Sequence, residues 1–392
     1  MLQKDTFDYA VRLRREIHEY PEIGFDLPKT LAVVRRELDA LGIPYTEEFG
    51  KSSIVGTINP DCKGFTIGLR GDMDALPIQE ETDLPFASKN PGIMHACGHD
   101  AHTAILLAAA KELKSREKEL TCRVKLLFTP AEEYINPGCE LMVKDGVMDD
   151  IDCAVALHVA PATPVGVIKT IVGGKNANST GFTVEFFGKN AHAADQQKGK
   201  DAIAMAVEAY TALEIMCAKE FKALEPRIFN VGSFNGGNTN NIICDYCKIF
   251  CTLRTHSDDV TETFLNRTRQ ITDGIAAMNG GTAKVTITKH MPYVLNDKII
   301  TEKVEETAAK LLGRENIKPR VRGMGGEDFS FMSRVKPCTQ FDLGCRFAGT
   351  EEPSPVHNPK FRLNEDCLKV GTEMFVQFVL DNMNGIDFSV ES

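Results

Sequence analysis

Between residues 94 and 102 the chain reads Met-His-Ala-Cys-Gly-His-Asp-Ala-His, which puts three histidines and a thiol within eight positions. Such a density is unusual for a structural loop. Two carboxylate clusters lie on either side of it in sequence: Asp72 and Asp74 in RGDMD, and Glu132-Glu133 directly after Pro130-Ala131. His158 ends an apolar run, and His357 stands in the turn-like string VHNP. Thiolate, imidazole and carboxylate together suit a transition divalent ion such as zinc or manganese. If a coordination position stays open for water, such a site is catalytic rather than structural. The adjacent glutamates then divide the labour: one coordinates, while its neighbour, turned aside by the bend after Pro130, holds the attacking water. Bound metal lowers that water's pKa to about 7, so a carboxylate base can complete its activation.

These groups need elements to carry them. Continuous apolar runs at 65–69, 124–128 and 151–157 read as strands buried on both faces, and each runs into one polar cluster. In open parallel sheets ligands gather at the carboxyl ends of the strands, so three such ends point to one convergent site. Residues 104–114 form an apolar helical stretch after the histidine cluster, and Asp100 reads as its cap. Residues 31–41 (LAVVRRELDAL) have helical periodicity and stop at Gly42. The alternation predicts an α/β fold with a mostly parallel sheet. From Thr180 to Lys289 the order becomes β-α-β-β-α-β, that of a ferredoxin-like sandwich, and reads as an insertion. The expected division is therefore 1–179 with 290–392, interrupted by 180–289. A long amphipathic helix is expected after Asn364.

Composition narrows the function classes. The chain of 392 residues exceeds one typical domain, and its 43% hydrophobic and 26% charged content is that of a folded globular protein. A net charge of -10 without any basic run disfavours nucleic acid as a partner. The longest apolar run, 104–110, is far short of a membrane span, and residues 1–22 lack the apolar core of a signal peptide. A cytoplasmic protein with no membrane partner is expected. Twelve scattered cysteines, several in strand-like runs, read as buried reduced thiols, and Cys244-Asp245-Tyr246-Cys247 has no second pair at zinc-ribbon spacing. His18, His256 and His290 read as isolated structural histidines. His95 and His102 flank the ligand pair and stay open between contact and structure.

Taken in order, GDMDALP, MHACGHDAH, PAEE, GKNAHAA, GGEDF and VHNP resemble the aminoacylase and carboxypeptidase-G-type metallopeptidases. The nearest branch is that of the N-acyl-amino-acid amidohydrolases: hippurate hydrolases, auxin-conjugate hydrolases and N-acetyldiaminopimelate deacetylases. The resemblance covers nearly the whole chain. It implies a two-metal catalytic domain with an inserted lid through which the chain forms a homodimer. It implies metal ligands at Cys97, His99, Glu133, His158 and His357, with the base at Glu132. Cys97 stands where relatives outside the branch carry a bridging aspartate, which points to a bridging thiolate. Asp72 and Asp74 match the family's early Asp-x-Asp, with an orienting role. His192 matches the histidine that reaches from the partner subunit to the tetrahedral oxyanion. Asn241 and Arg254 match positions that hold a substrate carboxylate, for which a planar guanidinium is suited.

The resemblance thus implies two divalent ions per subunit, zinc or manganese with cobalt or nickel as further options, and a small N-acyl amino acid as substrate. Within the same family a dipeptidase or aminopeptidase is the alternative, and a non-catalytic metal-bearing binding protein is the alternative outside enzymes. The filled base and ligand positions disfavour the latter. Two departures fall in the lid: Gln196-Gln197 replaces the branch's usual Pro-His pair, and Cys244 replaces a common proline. Both bear on substrate preference rather than on metal chemistry.

Overall fold

Strand formation in the larger part of the chain follows burial. In a computed structural model, which describes residues 3–134 and 136–389, every residue of the Thr66–Asp72 strand is buried, and six of seven in Arg123–Thr129 are. These strands and Cys153–Pro164 and Cys338–Arg346 pair in parallel at the middle of an eight-stranded sheet. Its order is Tyr45–Thr46, Ile54–Ile58, Arg123–Thr129, Thr66–Asp72, Cys153–Pro164, Cys338–Arg346, Ile168–Thr170 and Ile317–Pro319. Antiparallel pairing joins the two strands at one edge, links them to the centre, and recurs between Cys338–Arg346 and Ile168–Thr170. The mostly parallel sheet expected from the sequence is present.

One face of that sheet is covered by His99–Ser115, a helix buried along both its sides because Ala and Leu dominate it. It packs against Lys4–Glu19 and Asp366–Asn382 in one large hydrophobic core that includes Leu106, Leu126, Phe341 and Phe375. Truncating such a residue, Leu106→Ala for example, costs about 2–5 kcal/mol. Pro28–Leu41 begins on a proline and ends at Gly42, whose φ of 64° is the left-handed conformation of a helix stop. None of the twelve cysteines forms a disulfide among the described residues and nine are buried; burial pushes Cys122 and Cys247 up to about 11 and Cys345 to about 12.

The smaller part has its own core, built on Phe182, Val184, Leu213, Ile249, Leu253 and Phe264. Four antiparallel strands in the order Arg227–Gly236, Tyr246–Thr255, Asn178–Phe187 and Thr282–Met291 carry two helices, Ala202–Lys219 and Asp258–Met278. This is the ferredoxin-like arrangement. Alternation is regular along Tyr246–Thr255, where Cys247, Ile249, Cys251 and Leu253 are buried and Tyr246 and Phe250 exposed. Asp201 caps the first helix by accepting from the amides of Ile203 and Ala204.

Compact units divide at Lys175/Asn176 and Tyr293/Val294, and residues 322–327 join the smaller unit. The texture change at Thr180 and Lys289 lies inside these limits, because the first strand of the unit begins at Asn178 and the last runs on to Met291, both paired there. Among the described residues no helix is long and apolar enough to cross a membrane.

Candidate metal centre

Three neighbouring strands supply the site. Asp72 ends Thr66–Asp72, and Glu132 and Glu133 follow Arg123–Thr129. His158, expected to end its strand, lies inside Cys153–Pro164, which runs on paired with Cys338–Arg346. Thr66–Asp72 pairs in parallel with Arg123–Thr129 up to Asp72↔Thr129, so Asp74 and the Pro130–Glu133 segment leave the sheet together. Ala131 has a φ of 56°, a conformation that costs a residue with a Cβ about 1–2 kcal/mol. That bend turns the Glu132 and Glu133 amides to the Asp74 carboxylate, at 3.0 and 3.1 Å. Asp74 thereby fixes the backbone beneath both glutamates. Gly98, with a φ of 82°, starts the His99–Ser115 helix; a Cβ there would sit 2.4 Å from Val159 Cγ2. Only glycine lets Cys97 and His99 flank that turn. His357, also at positive φ, is tied to the same loop by its amide donating to Ala96 O at 2.8 Å.

Tautomers follow from the partners. His99 Nδ1 lies 2.8 Å from Asp74 O, and a carbonyl only accepts, so the proton is on Nδ1. Nε2 is left as a buried lone pair without a hydrogen-bond partner. His158 Nδ1 donates likewise to Val159 O at 2.8 Å, and its Nε2 lies 3.3 Å from Cys97 Sγ. Glu133 Oε1 is 2.7 Å from His357 Nε2, but not in hydrogen-bonding geometry. Donor atoms of Cys97, His99 and His158 lie within 4.8 Å of one another, as do those of Cys97, Glu133 and His357, and those of His99, Glu132 and Glu133. Two of these groups have Cys97 in common, so its thiolate would be within reach of an ion held by either. The soft donor set fits transition divalent ions rather than magnesium or calcium.

Electrostatics agree with a site built for positive charge. Burial disfavours charge on His99, but Asp72 and Cys97 raise its pKa well above the usual range, toward a proton or a metal at Nε2. Burial pushes the Cys97 thiol well up, with His99 opposing, so a neighbouring dication is what would hold the thiolate. Burial acts upward on Glu133 too, but His357 and His99 lower it. Asp72, despite full burial, is held well below the carboxylate range by Arg70, His99 and His102.

Some readings need correction. Asp100 does not cap the helix: it is buried and accepts from Arg14 Nε and pairs with His18 Nδ1, each at 2.8 Å. An aspartate at a helix start looks the same in sequence whether it faces the backbone or a buried cation. His102 uses both ring nitrogens inside the protein, with Asp72 Oδ1 at 2.6 Å and the Val159 amide at 3.0 Å. His95 is buried, neither ring nitrogen is hydrogen-bonded, and burial lowers it to about 3. Arg70, buried within the Thr66–Asp72 strand, was given no role by the sequence reading; its only signal was a cation placed directly after the apolar run 65–69.

In the smaller unit, His192 is exposed on the two-residue strand Ala191–His192, opposite Ile242. Its Nδ1 accepts from the Ala194 amide at 3.1 Å, and Asn241 O accepts from the Ala193 amide, which ties the two segments. Arg254 is half-buried, burial lowers its pKa, and it has no ion pair or hydrogen bond among the described residues. Gly326 adjoins it, since a Cβ there would lie 3.3 Å from Arg254 Nη1. Gln196 and Gln197 are exposed in the turn after His192, and Cys244 Sγ donates to Tyr246 O.

A parallel-sheet unit whose strand ends gather thiol, imidazole and carboxylate about two centres, beside a glutamate on a strained turn, is that of a metal-dependent hydrolase. The chain belongs to peptidase family M20/M25/M40, whose model matches residues 68–381. It is 34% identical to the IAA-amino acid hydrolase ILR1-like 4 of Arabidopsis thaliana, over 95% of this chain and 85% of the plant protein. Identity to the N-acetyl-L-cysteine deacetylase of Bacillus subtilis is 35%, over 91% and 84% of the two chains. The crystal structure of Bacillus subtilis YXEP, a dinuclear metal binding peptidase of the M20 family, matches with a TM-score of 0.84 at 30% identity. That match covers 98% of this chain and 100% of that one. The protein is thus an M20 hydrolase with a dinuclear metal site of the family's kind.

Proposed function

We propose that the protein hydrolyses the amide bond of N-acyl amino acids, releasing a carboxylic acid and the free amino acid. The observation that carries this is the convergence of Cys97, His99, His158, Glu133 and His357 donor atoms next to Glu132. Those five residues would hold two divalent ions, zinc or manganese, which supply Lewis acidity toward the acyl carbonyl and lower the pKa of water. Glu132, on the turn anchored by Asp74, accepts the proton of the attacking water as its oxygen bonds to the acyl carbon. It returns that proton to the amine nitrogen as the C–N bond breaks. His192 donates to the oxyanion, and the unpaired guanidinium of Arg254, with Asn241, takes the substrate carboxylate. Relatives named for cleaving indole-acetyl and N-acetyl amino acids support this substrate class.

We further propose that the chain works as a cytoplasmic homodimer joined through the smaller unit. Among the described residues, twelve of the eighteen large hydrophobic side chains that stay exposed lie there, Phe187, Tyr246 and Phe250 among them. The test of the reaction is Glu132→Gln with metal content measured. Turnover of acetyl, benzoyl and indolyl-acetyl amino acids should fall about 10²–10⁴-fold with both ions retained. Wild-type turnover in the metal-loaded variant would overturn the mechanism.

A further inference from the structure

A chain of buried polar side chains runs behind the metal centre. Arg70 Nη2 donates to Asp328 Oδ1 at 2.6 Å, Arg70 Nη1 to Asp72 Oδ2 at 2.5 Å, and Arg70 Nε to Thr129 Oγ1 at 2.9 Å. Asp72 Oδ1 in turn faces His102 Nδ1 at 2.6 Å. Asp328 is fixed at the far end, its Oδ2 accepting from the Cys139 amide at 2.9 Å. Arg70, Asp72, His102 and Asp328 are each at most 1% exposed. Three charges without access to water are costly to place, and a fold keeps them where they set a geometry.

The chain ends on the backbone next to a metal ligand. An amide can only donate, so the Val159 N–H at 3.0 Å makes His102 Nε2 an acceptor. The proton must then sit on Nδ1, where it meets Asp72. With both nitrogens occupied, His102 offers no lone pair to an ion, although its ring, Asp72 and His99 lie within 4.8 Å of each other. Val159 follows His158, and its carbonyl accepts from His158 Nδ1. The ladder to Thr66–Asp72 has already ended, at Arg70↔Ala156. A side chain therefore supports the strand where no neighbouring strand does on that side.

We propose that His102 is a positioning residue for His158, oriented by Asp72, with Arg70 and Asp328 holding that carboxylate in place. It holds the N–H of Val159, the residue whose own carbonyl, one peptide further on, sets the tautomer and ring orientation of His158. Losing a partner that orients a ligand histidine typically weakens metal binding 10–100-fold. This inference rests on His158 being a ligand, as proposed above.

Two variants of the full chain separate positioning from support of the fold. In His102→Asn the shorter amide still donates to Asp72 but no longer reaches the Val159 amide. In His102→Gln the longer one can accept from it. Zn2+ affinity is read by chelator competition, and ligand geometry by the visible absorption of Co2+-loaded protein. His102→Asn should bind Zn2+ 10–100-fold more weakly with a shifted Co2+ spectrum, and His102→Gln should recover most of both. Wild-type affinity and spectrum in folded His102→Asn, alongside loss in His158→Ala, would overturn the inference alone. If His158→Ala also binds normally, the ligand assignment fails and the inference falls with it. Should His102→Asn not fold, Asp328→Asn, at the far end of the chain, carries the same expectation at a smaller size, and an unaltered Co2+ spectrum there overturns it.

Discussion

The two units differ in the polar side chains they bury. In the larger one, Arg14, Arg70, Asp72, Asp100 and Asp328 lie at 2% exposure or less, each matched by a partner. Between residues 178 and 291 the buried polar side chains are Asn, Ser and Thr only, while several large apolar side chains outside the core, Phe187, Tyr246 and Phe250 among them, stay exposed. The larger unit spends its interior on fixing charged groups to fractions of an ångström, as a metal site demands. The smaller unit has an ordinary core and keeps its unusual chemistry on the outside, where His192 and Arg254 lack the surroundings that hold His99 and His158. Rigid preorganisation suits an ion site, and exposed apolar surface is what the proposed dimer contact would use.

Breaking the smaller unit's share is the strongest test of this contrast. His192→Ala should lower kcat about 10²–10³-fold while metal content stays unchanged, the size seen when one oxyanion donor is removed. Mixing His192→Ala with Glu132→Gln chains should restore activity if the histidine acts across a dimer. No recovery, with exchange verified, would place its action within one chain.

Metal removal should divide the molecule along the same line. Ligand binding at 100–1,000 times Kd stabilises by about 2.7–4.1 kcal/mol. Chelation is therefore expected to reduce amide-exchange protection in Thr66–Asp72 and Cys153–Pro164 but not in Asn178–Phe187. Equal loss in both units would show that their stabilities are not separable. A smaller effect is expected from Arg254→Lys: KM for acyl amino acids should rise about tenfold with kcat held, because an ammonium cannot pair with both carboxylate oxygens. A kcat loss at constant KM would remove Arg254 from carboxylate binding.

His95 sharpens the comparison least but most cleanly. Burial lowers its pKa from 6.5 to about 3, so the folded state binds fewer protons than the unfolded one. Its contribution to stability is full above pH 6.5 and is lost as pH falls toward 3. His95→Leu lacks that loss. Near pH 5, denaturant titrations should show wild-type stability changing with pH more steeply than the variant by up to about 1.4 kcal/mol per pH unit. Parallel profiles would mean that His95 is not neutral in the fold.

The sequence carried the site further than the elements around it. The strand ends before Asp74 and Glu132 were legible because continuous apolar runs stop where polar residues begin, whereas the strand holding His158 runs on to Pro164, since its pairing with Cys338–Arg346 continues past the apolar run. His357, two hundred residues beyond His158, has no local pattern that assigns it, and only the resemblance did. The ladder of Ala191–His192 with Ile242–Ile243 is two residues long, below any periodicity. Asp100, His102 and Arg70 show the sharper limit. Their types announced chemistry, but which atom each meets depends on residues up to 258 positions away, such as Asp328.

Gly98 and Val159 carry a consequence for protein engineering. The clearance of 2.4 Å means that any side chain at 98 displaces the valine methyl, and with it the residue following His158. The two positions act as a lock in which neither can grow unless the other shrinks. Libraries that exchange Cys97 for aspartate, to shift the preference toward harder ions, should hold positions 98 and 159 constant or vary them jointly.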